Sequence, residues 1–436
     1  MQDRHDLLTA AATALDHPSP LLDRAELEAF VDSFLQRRQV FLDARRRHGS
    51  PLYVLEPQVL RDRAEQLVST FRDELPEVSA YYAVKSNNCP LVASALVDSG
   101  LGLDVSSGLE WELALDCGAQ EILFSGPGKT EAELHLAVAH RDWVTVLVDS
   151  FAELELLERT AGAARASVRA GVRLTTNERG LWRKFGILLA DLPRFLARAE
   201  ECRHVVVGGL QFHTSWNMGP DNQVAFLQRL GAALQDLPAG HRAQLGFLDI
   251  GGGFWPPQGE WLQPAGTPEG KLREAVRPEA EPVAPSLAPH RFPARPLQDF
   301  AREIAAALRT HVFPHLDCRV CLEPGRWLCN DAMHLLLTVL DRKADDLVIT
   351  DGGINAVGWE RFETDYFPVL NLSRPSLEEH ECYVMGSLCT PHDLWGYSYF
   401  GTDLQPGDVL LIPTQGAYTY SLRQEFIKPL PQVVSV

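Results

Sequence analysis

No run of basic residues long enough to track a phosphate backbone occurs in this chain. Its 436 residues carry 58 Asp and Glu against 40 Lys and Arg, a formal net charge of −18. That argues against a nucleic-acid partner, because nothing in the chain could follow a phosphate backbone. No apolar stretch is long enough to span a bilayer, and the polar opening Met-Gln-Asp-Arg-His-Asp lacks the apolar core of a signal peptide. Eight cysteines over such a length make no disulfide framework. Without an export signal they point to a reducing compartment, so a cytoplasmic protein with no membrane partner is expected. Metal-ligand patterns are scarce too. Cys318 and Cys321 form a lone C-x-x-C inside Cys-Arg-Val-Cys-Leu-Glu, which reads as a strand whose positions three apart face opposite ways. His311 and His315 have helical metal spacing, but Pro314 interrupts the turn that would carry them. No metal is expected.

What is present is a repeating unit. From about residue 50 a short β-rich run, a polar or glycine turn and an Ala/Leu/Glu-rich helical pattern recur. The predicted strands are Ser79–Lys85, Gly102–Ser107, Glu121–Gly126, Val144–Ser150, Ser167–Leu174, Gly208–Thr214, Gly246–Gly253 and Cys318–Glu323. Eight β-then-α units in series suit a closed parallel barrel, although an open doubly wound sheet has the same local signature.

The chemically capable residues decide between them, because they fall at strand ends. Lys85 ends the first run, where partial desolvation would disfavour its ammonium form and leave an amine able to hold an aldehyde as a Schiff base. A lone lysine there is more often an ordinary surface residue. Yet Asp104 and Ser106 sit late in the second run, His213 ends the sixth, Gly251–Gly253 end the seventh and Glu323 ends the eighth. A barrel brings all these ends to one mouth, whereas an open sheet would part the first from the eighth. The predicted fold class is therefore α/β, a (β/α)8 TIM-type barrel with a C-terminal all-β domain.

The expected division is a helical extension over 1–50, a strand over 51–56 joining the β domain, a barrel over 57–331 and the β domain over 332–436. Trp255–Gln298 carries ten prolines and is expected as a partly ordered insertion in the barrel, covering its mouth or meeting a second subunit, with a helix Asp299–His311 after it. Beyond Arg326 the predicted strands are Ala332–Leu340, Asp346–Thr350, Glu381–Gly386 and Asp408–Thr414.

Three glycines after the apolar Leu245–Ile250 let backbone N–H groups face an anion, and Glu323-Pro324-Gly325-Arg326 sets a carboxylate three residues before a guanidinium. With these, the chain resembles the alanine-racemase-like barrel family of pyridoxal-phosphate enzymes, in its diaminopimelate, ornithine and arginine decarboxylase branch. The ordered motifs are Tyr82-Ala83-Val84-Lys85-Ser86-Asn87, Gly102-Leu103-Asp104-Val105-Ser106-Ser107 with Glu110, and Lys184-Phe185-Gly186. Gln211-Phe212-His213, the triple glycine, Glu323 to Arg326, Gly386 to Asp393 around Cys389, and Gly416-Ala417-Tyr418 follow. The resemblance implies decarboxylation of an amino acid through a Schiff base and a quinonoid carbanion on pyridoxal 5'-phosphate, in a homodimer with shared active sites. It implies that Lys85 binds the cofactor aldehyde, with Asp104 among the cofactor contacts, that His213 stacks on the ring and that Glu323 meets the ring nitrogen. Gly251, Gly252, Gly253, Arg326 and Tyr418 would hold the phosphate, with Ser215 a further contact. Cys389 would be the proton donor, supplied by the second subunit.

Glu323 favours decarboxylation over racemisation, since a carboxylate keeps the ring nitrogen protonated and the ring electron-accepting. Racemases of this fold usually place an arginine there. Thr390 stands where the branch commonly has an acid, and Thr-Ser-Trp follows His213 in place of a Gly-Ser pair. Together with Arg361 in an unusual Ile354–Pro375 loop, and with Asp393, Thr390 is a candidate substrate contact, and the substrate reads as a diamino acid or a conjugate of one. The competing readings are a racemase or epimerase on the same cofactor, a silent homologue regulating a partner decarboxylase, and a sugar-phosphate barrel enzyme, which would leave Lys85 with Glu323 unexplained.

Overall fold

Each apolar run set before a polar turn becomes a strand of one barrel. The computed structural model describes residues 2–276, 288–358 and 362–436. After β1 (Leu52–Leu55) come β2 (Val78–Ala83), β3 (Gly102–Val105), β4 (Ile122–Phe124), β5 (Val144–Val148), β6 (Val168–Leu174), β7 (Val205–Phe212) and β8 (Phe247–Asp249). A hairpin of β9 (Glu260–Leu262) and β10 (His290–Phe292) precedes β11 (Arg319–Leu322), which closes the parallel barrel in the order β11-β2-β3-β4-β5-β6-β7-β8. Hydroxyl caps start three of the intervening helices: Ser107, Thr130 and Ser150 accept the N–H of Glu110, Glu133 and Glu153, and Thr130 with Glu133 forms a full capping box.

The barrel is filled, not hollow. Tyr81, Leu123, Leu147, Phe247 and Cys321 form one apolar layer inside it, and glycines make room for the rings. A Cβ on Gly171 or Gly209 would fall 2.7 or 2.3 Å from the Phe247 ring, and one on Gly102 would fall 2.4 Å from Tyr81. Large residues on some strands thus match small ones on others.

Two compact units result: Pro57–Pro257 with Arg295–Cys329, and Met1–Glu56 with Gln258–Ala294 and Asn330–Val436. In the second, the strands are β12 (Met333–Ala344), β13 (Leu347–Thr350), β14 (Leu370–Asn371), β15 (Glu379–Met385), β16 (Leu394–Phe400), β17 (Val409–Ile412) and β18 (Gln432–Ser435). β12 is long enough to pair with β17 along its first half and with β13 along its second, closing the ring β12-β13-β15-β16-β14-β17, while β1 lies antiparallel to β12 and β18 parallel to β1. The helix Arg24–Leu35 lays Leu27, Val31, Phe34 and Leu35 into a core with Leu336, Leu370, Phe400 and Leu411.

Two expectations need correction. β14, β16 and β18 have no counterpart among the predicted strands; β16 (Leu-Trp-Gly-Tyr-Ser-Tyr-Phe) is buried on both faces and shows no alternation. The proline-rich segment is also more ordered where it is described. Gln258–Ala294 belongs to the β-rich unit, not to the barrel, and contains the β9–β10 hairpin and a helix over Pro268–Val276. Its prolines mark boundaries: Pro268 opens the helix, where a missing N–H costs nothing. Trp261 anchors the hairpin edge-on to Phe30, with ring centroids 5.0 Å apart, and Ser19 bonds Glu269 through both its N–H and its hydroxyl at 2.8 and 2.9 Å. The helix expected at Asp299–His311 runs over Leu297–Ala307 and ends in a wider turn over Leu308–Val312. No described helix is long and apolar enough to cross a membrane.

Candidate active site

Side chains alternate along a strand, so two residues beyond each member of the apolar layer the same inward face appears again, nearer the C-terminal mouth. There the layer turns polar. Asp104, Ser125, Asp149, Arg173, Gln211, Asp249 and Glu323 stand two positions after Gly102, Leu123, Leu147, Gly171, Gly209, Phe247 and Cys321. Lys85, His213 and Gly251 continue the same phase one step further. Lys85 is not in the strand itself, as the sequence predicts, but in a short helical turn over Val84–Ser86 that follows β2.

The Lys85 amine meets Asp104 at 2.7 Å, with the lysine side chain one-third exposed and the aspartate fully buried. Desolvation is therefore not the only influence expected on this amine: a buried carboxylate stands at hydrogen-bond distance. Ser125 donates its hydroxyl to the other Asp104 oxygen, and the Ser125 carbonyl accepts from Arg173 Nη1 at 2.9 Å. Burial raises the Asp104 acid, opposed by the Lys85 charge.

Glu323 lies directly after β11 and is 2% exposed. Gln211 Nε2 sits 3.3 and 3.4 Å from its two oxygens, and His213 Nδ1 sits 3.4 Å away. Burial would raise this carboxyl, but His213 beside it and the charges of Lys85 and Arg173 outweigh that and hold it below the ordinary range. Burial acts the other way on His213 and lowers its pKa, Glu323 restoring the charge only in part. The Gly252 N–H approaches the same Nδ1 at 3.2 Å.

The glycine loop serves close approach as well as hydrogen bonding. A Cβ on Gly252 would sit 2.0 Å from the Glu323 carbonyl, and one on Gly253, where φ is +79°, would sit 2.3 Å from the Thr214 carbonyl and 2.9 Å from the Cα of Ser215. The N–H of Gly251 goes to Asp249 and that of Gly252 to His213, so the expectation of three anion-facing donors is reduced by two. Arg326 stacks its guanidinium 4.5 Å above the Trp255 ring, on the four-residue helix Arg326–Cys329 that follows Glu323.

The remaining expected residues belong to the β-rich unit. Cys389 is exposed, Thr390 is next to it, and Tyr418 is half-buried with φ +60°. Asp393 does not fit a substrate contact. It is 1% exposed, and its two oxygens take the N–H groups of Ile354 and Leu388 at 2.8 and 2.6 Å, which makes it a staple of the Cys389 loop. Arg361 lies outside the described residues. Arg173 is what the sequence reading missed: it is 8% exposed, bonded to Ser125 and stacked on Phe185 at 4.5 Å. Its signal was its phase with Gly171, legible only once the inward face is known.

This donor set fits one kind of group. An amine, a carboxylate held ionised and a neutral imidazole at one mouth suit a pyridine aldehyde, and the buried Gln211 Oε1 and Asp249 Oδ2 have no hydrogen-bond partner. Residues 61–330 match the model of the family described as pyridoxal-dependent decarboxylase, pyridoxal binding domain. The chain belongs to that family. It is 26% identical to a diaminopimelate decarboxylase of Methanothermobacter thermautotrophicus over 89% of this chain and 87% of the relative. It is 25% identical to an L-glutamyl-(BtrI acyl-carrier protein) decarboxylase of Niallia circulans, over 92% and 88%. The fold superposes on the crystal structure of diaminopimelate decarboxylase from Helicobacter pylori complexed with L-lysine with a TM-score of 0.71, at 22% identity over 91% and 94% of the two chains.

Proposed function

We propose that this member of the pyridoxal-dependent decarboxylase family acts on a diamino acid or a conjugate of one, as a homodimer with shared active sites. The observation that carries the reading is the Lys85–Asp104 pair set in the same inward layer as Glu323 and His213. When bound, the cofactor supplies a ring that accepts the electron pair left as carbon dioxide departs. Lys85 is the amine that would hold its aldehyde, and Asp104 gives the proton of that amine a place to go. Glu323, held ionised, would keep a proton on the ring nitrogen. His213, driven neutral by burial, would lie against the ring face without placing a second cation there. Ser215, Gly253, Arg326 and Tyr418 would hold the phosphate. Cys389, exposed on its loop, would deliver a proton to the substrate carbon from the second subunit.

Thr390 favours a conjugate over a free diamino acid, because it removes the acid that would pair with a free distal amine; the Niallia circulans relative is likewise named for an amino acid held on a carrier protein, there a glutamyl group. Purified protein incubated with diaminopimelate, ornithine, lysine, arginine and glutamyl-loaded acyl carrier protein, with mass detection of products, separates the two. Lys85→Ala is expected to abolish carbon dioxide release and the visible absorption of bound cofactor. Ordinary release from that variant would refute the assignment of Lys85.

A further inference from the structure

Asp249 ends β8 beside β11, its backbone registered with Cys321, and is fully buried. One of its oxygens, Oδ1, accepts the N–H of Gly251 at 2.8 Å, while Oδ2 is buried with no donor facing it. Glu323 follows on the adjacent strand in the same inward layer, its N–H meeting the Gly251 carbonyl at 2.8 Å, and its charge acts directly on the Asp249 carboxyl. Two buried carboxyls facing one another need a proton between them, because desolvation strongly disfavours a second unpaired charge there. The largest influences on Asp249 besides burial and the Gly251 N–H are the negative charges of Glu323 and Asp104, with no cation among them. Tyr81 on β2 and Cys321 on β11 are both kept protonated by burial. Asp104 on β3 adds a negative charge and has Lys85 as its own partner. Gln211 on β7 spends its amide N–H groups toward Glu323. Arg319, at the start of β11 on the opposite side of the apolar layer, has the Glu121 charge and the Tyr81 hydroxyl as its neighbours.

We propose that Asp249 carries this proton as the neutral half of a carboxyl–carboxylate pair, donating to Glu323, fixing its orientation and leaving a single negative charge toward the cofactor ring. Asp249 is then a positioning residue, acting through Glu323. Burial and the Glu323 charge both push its acid upward, while Glu323 is held ionised by its own neighbours, so the two titrate as a unit. The role toward the ring rests on the assignment of Glu323 above; the protonated pair does not.

The test is read on the full-length protein as purified. With aspartate 13C-labelled at the side-chain carboxyl, infrared difference spectra at about pH 7.5 are expected to show a label-shifted acid carbonyl band that is missing from both D249N and D249A, because burial and the Glu323 charge both oppose loss of that proton. D249N is the neutral mimic: its amide can donate to Glu323 and its oxygen can accept from Gly251. The pH midpoint of the visible absorbance of bound cofactor is therefore expected to stay in place in D249N. In D249A it should move, because Glu323 loses its donor. Absence of the acid band from the wild-type protein overturns the proposal. So does a D249N midpoint displaced by about one unit or more, the size expected for removing a full charge beside the ring. A protein that binds no pyridoxal phosphate would sink the functional reading, while the infrared band would still report on the pair.

Discussion

Glu110 carries the sharpest pH signature among the single residues. It sits in the first turn of the helix Gly108–Asp116, is 8% exposed and accepts the Ser106 N–H at 2.7 Å. Burial, and behind it the Asp104 charge, push its acid from 4.5 up to about 7, against the pull of that N–H. A carboxyl raised on folding contributes stability that is complete below its unfolded value and drains away as pH climbs through the folded one, so the loss falls between about 4.5 and 7. At about 1.4 kcal/mol per unit, the buried charge costs up to roughly 3 kcal/mol above neutrality. Glu110→Gln keeps an acceptor for Ser106 and cannot ionise. It is expected to flatten the slope over that window and to raise stability at about pH 8 by roughly 2 to 3 kcal/mol, read from denaturant midpoints at several pH values. An unchanged slope would place the titration elsewhere.

At the scale of elements, one carboxylate organises the loop between β15 and β16. Asp393 takes backbone donors from both ends of its surroundings, Ile354 and Leu388, and Gly386 must lack a side chain because a Cβ there would fall 2.2 Å from Asp393 Oδ2. The two donors use different oxygens, so an amide would turn an NH2 group toward one of them. Asp393→Asn is expected to destabilise by about 1 to 3 kcal/mol, the cost of a buried donor left unpaired, and to loosen Cys389 without touching the barrel. A lowered unfolding midpoint together with faster alkylation of Cys389 checks this; unchanged alkylation would free the loop from its dependence on Asp393.

Elements also explain what the sequence could and could not reveal. All eight barrel strands were legible, because short apolar runs bounded by capped helices have few other solutions, and Lys85, His213, Gly251 and Glu323 stood out as polar or glycine residues at strand ends. Arg173 and Asp249 did not, since an arginine in Val-Arg-Ala-Gly-Val-Arg-Leu or an aspartate in Phe-Leu-Asp-Ile gives no sign of which way it points. The phase comes from closure, when Phe247 fills the space over Gly171 and Gly209. Asp393 was legible as a polar residue in a site motif but not as a staple, because its partners lie 39 and 5 positions away and belong to the backbone.

At the scale of the whole molecule, the question is where a site gets its proton donor. Lys85 and Cys389 fall in different compact units of the chain, and the homodimer proposed above has each active site drawing its cysteine from the partner. A heterodimer of Lys85→Ala and Cys389→Ala subunits, made by co-expression and purified through two different tags, separates the arrangements. If sites are shared, both defects collect in one site and the other is intact, so the heterodimer should run at about half the wild-type rate by two-fold symmetry. If each chain supplies its own cysteine, one site lacks the lysine and the other lacks the cysteine, and the rate should not exceed half that of the Cys389→Ala homodimer. Carbon dioxide release per purified heterodimer is the measurement, and a rate at that lower ceiling would confine both residues to a single subunit and remove the shared site.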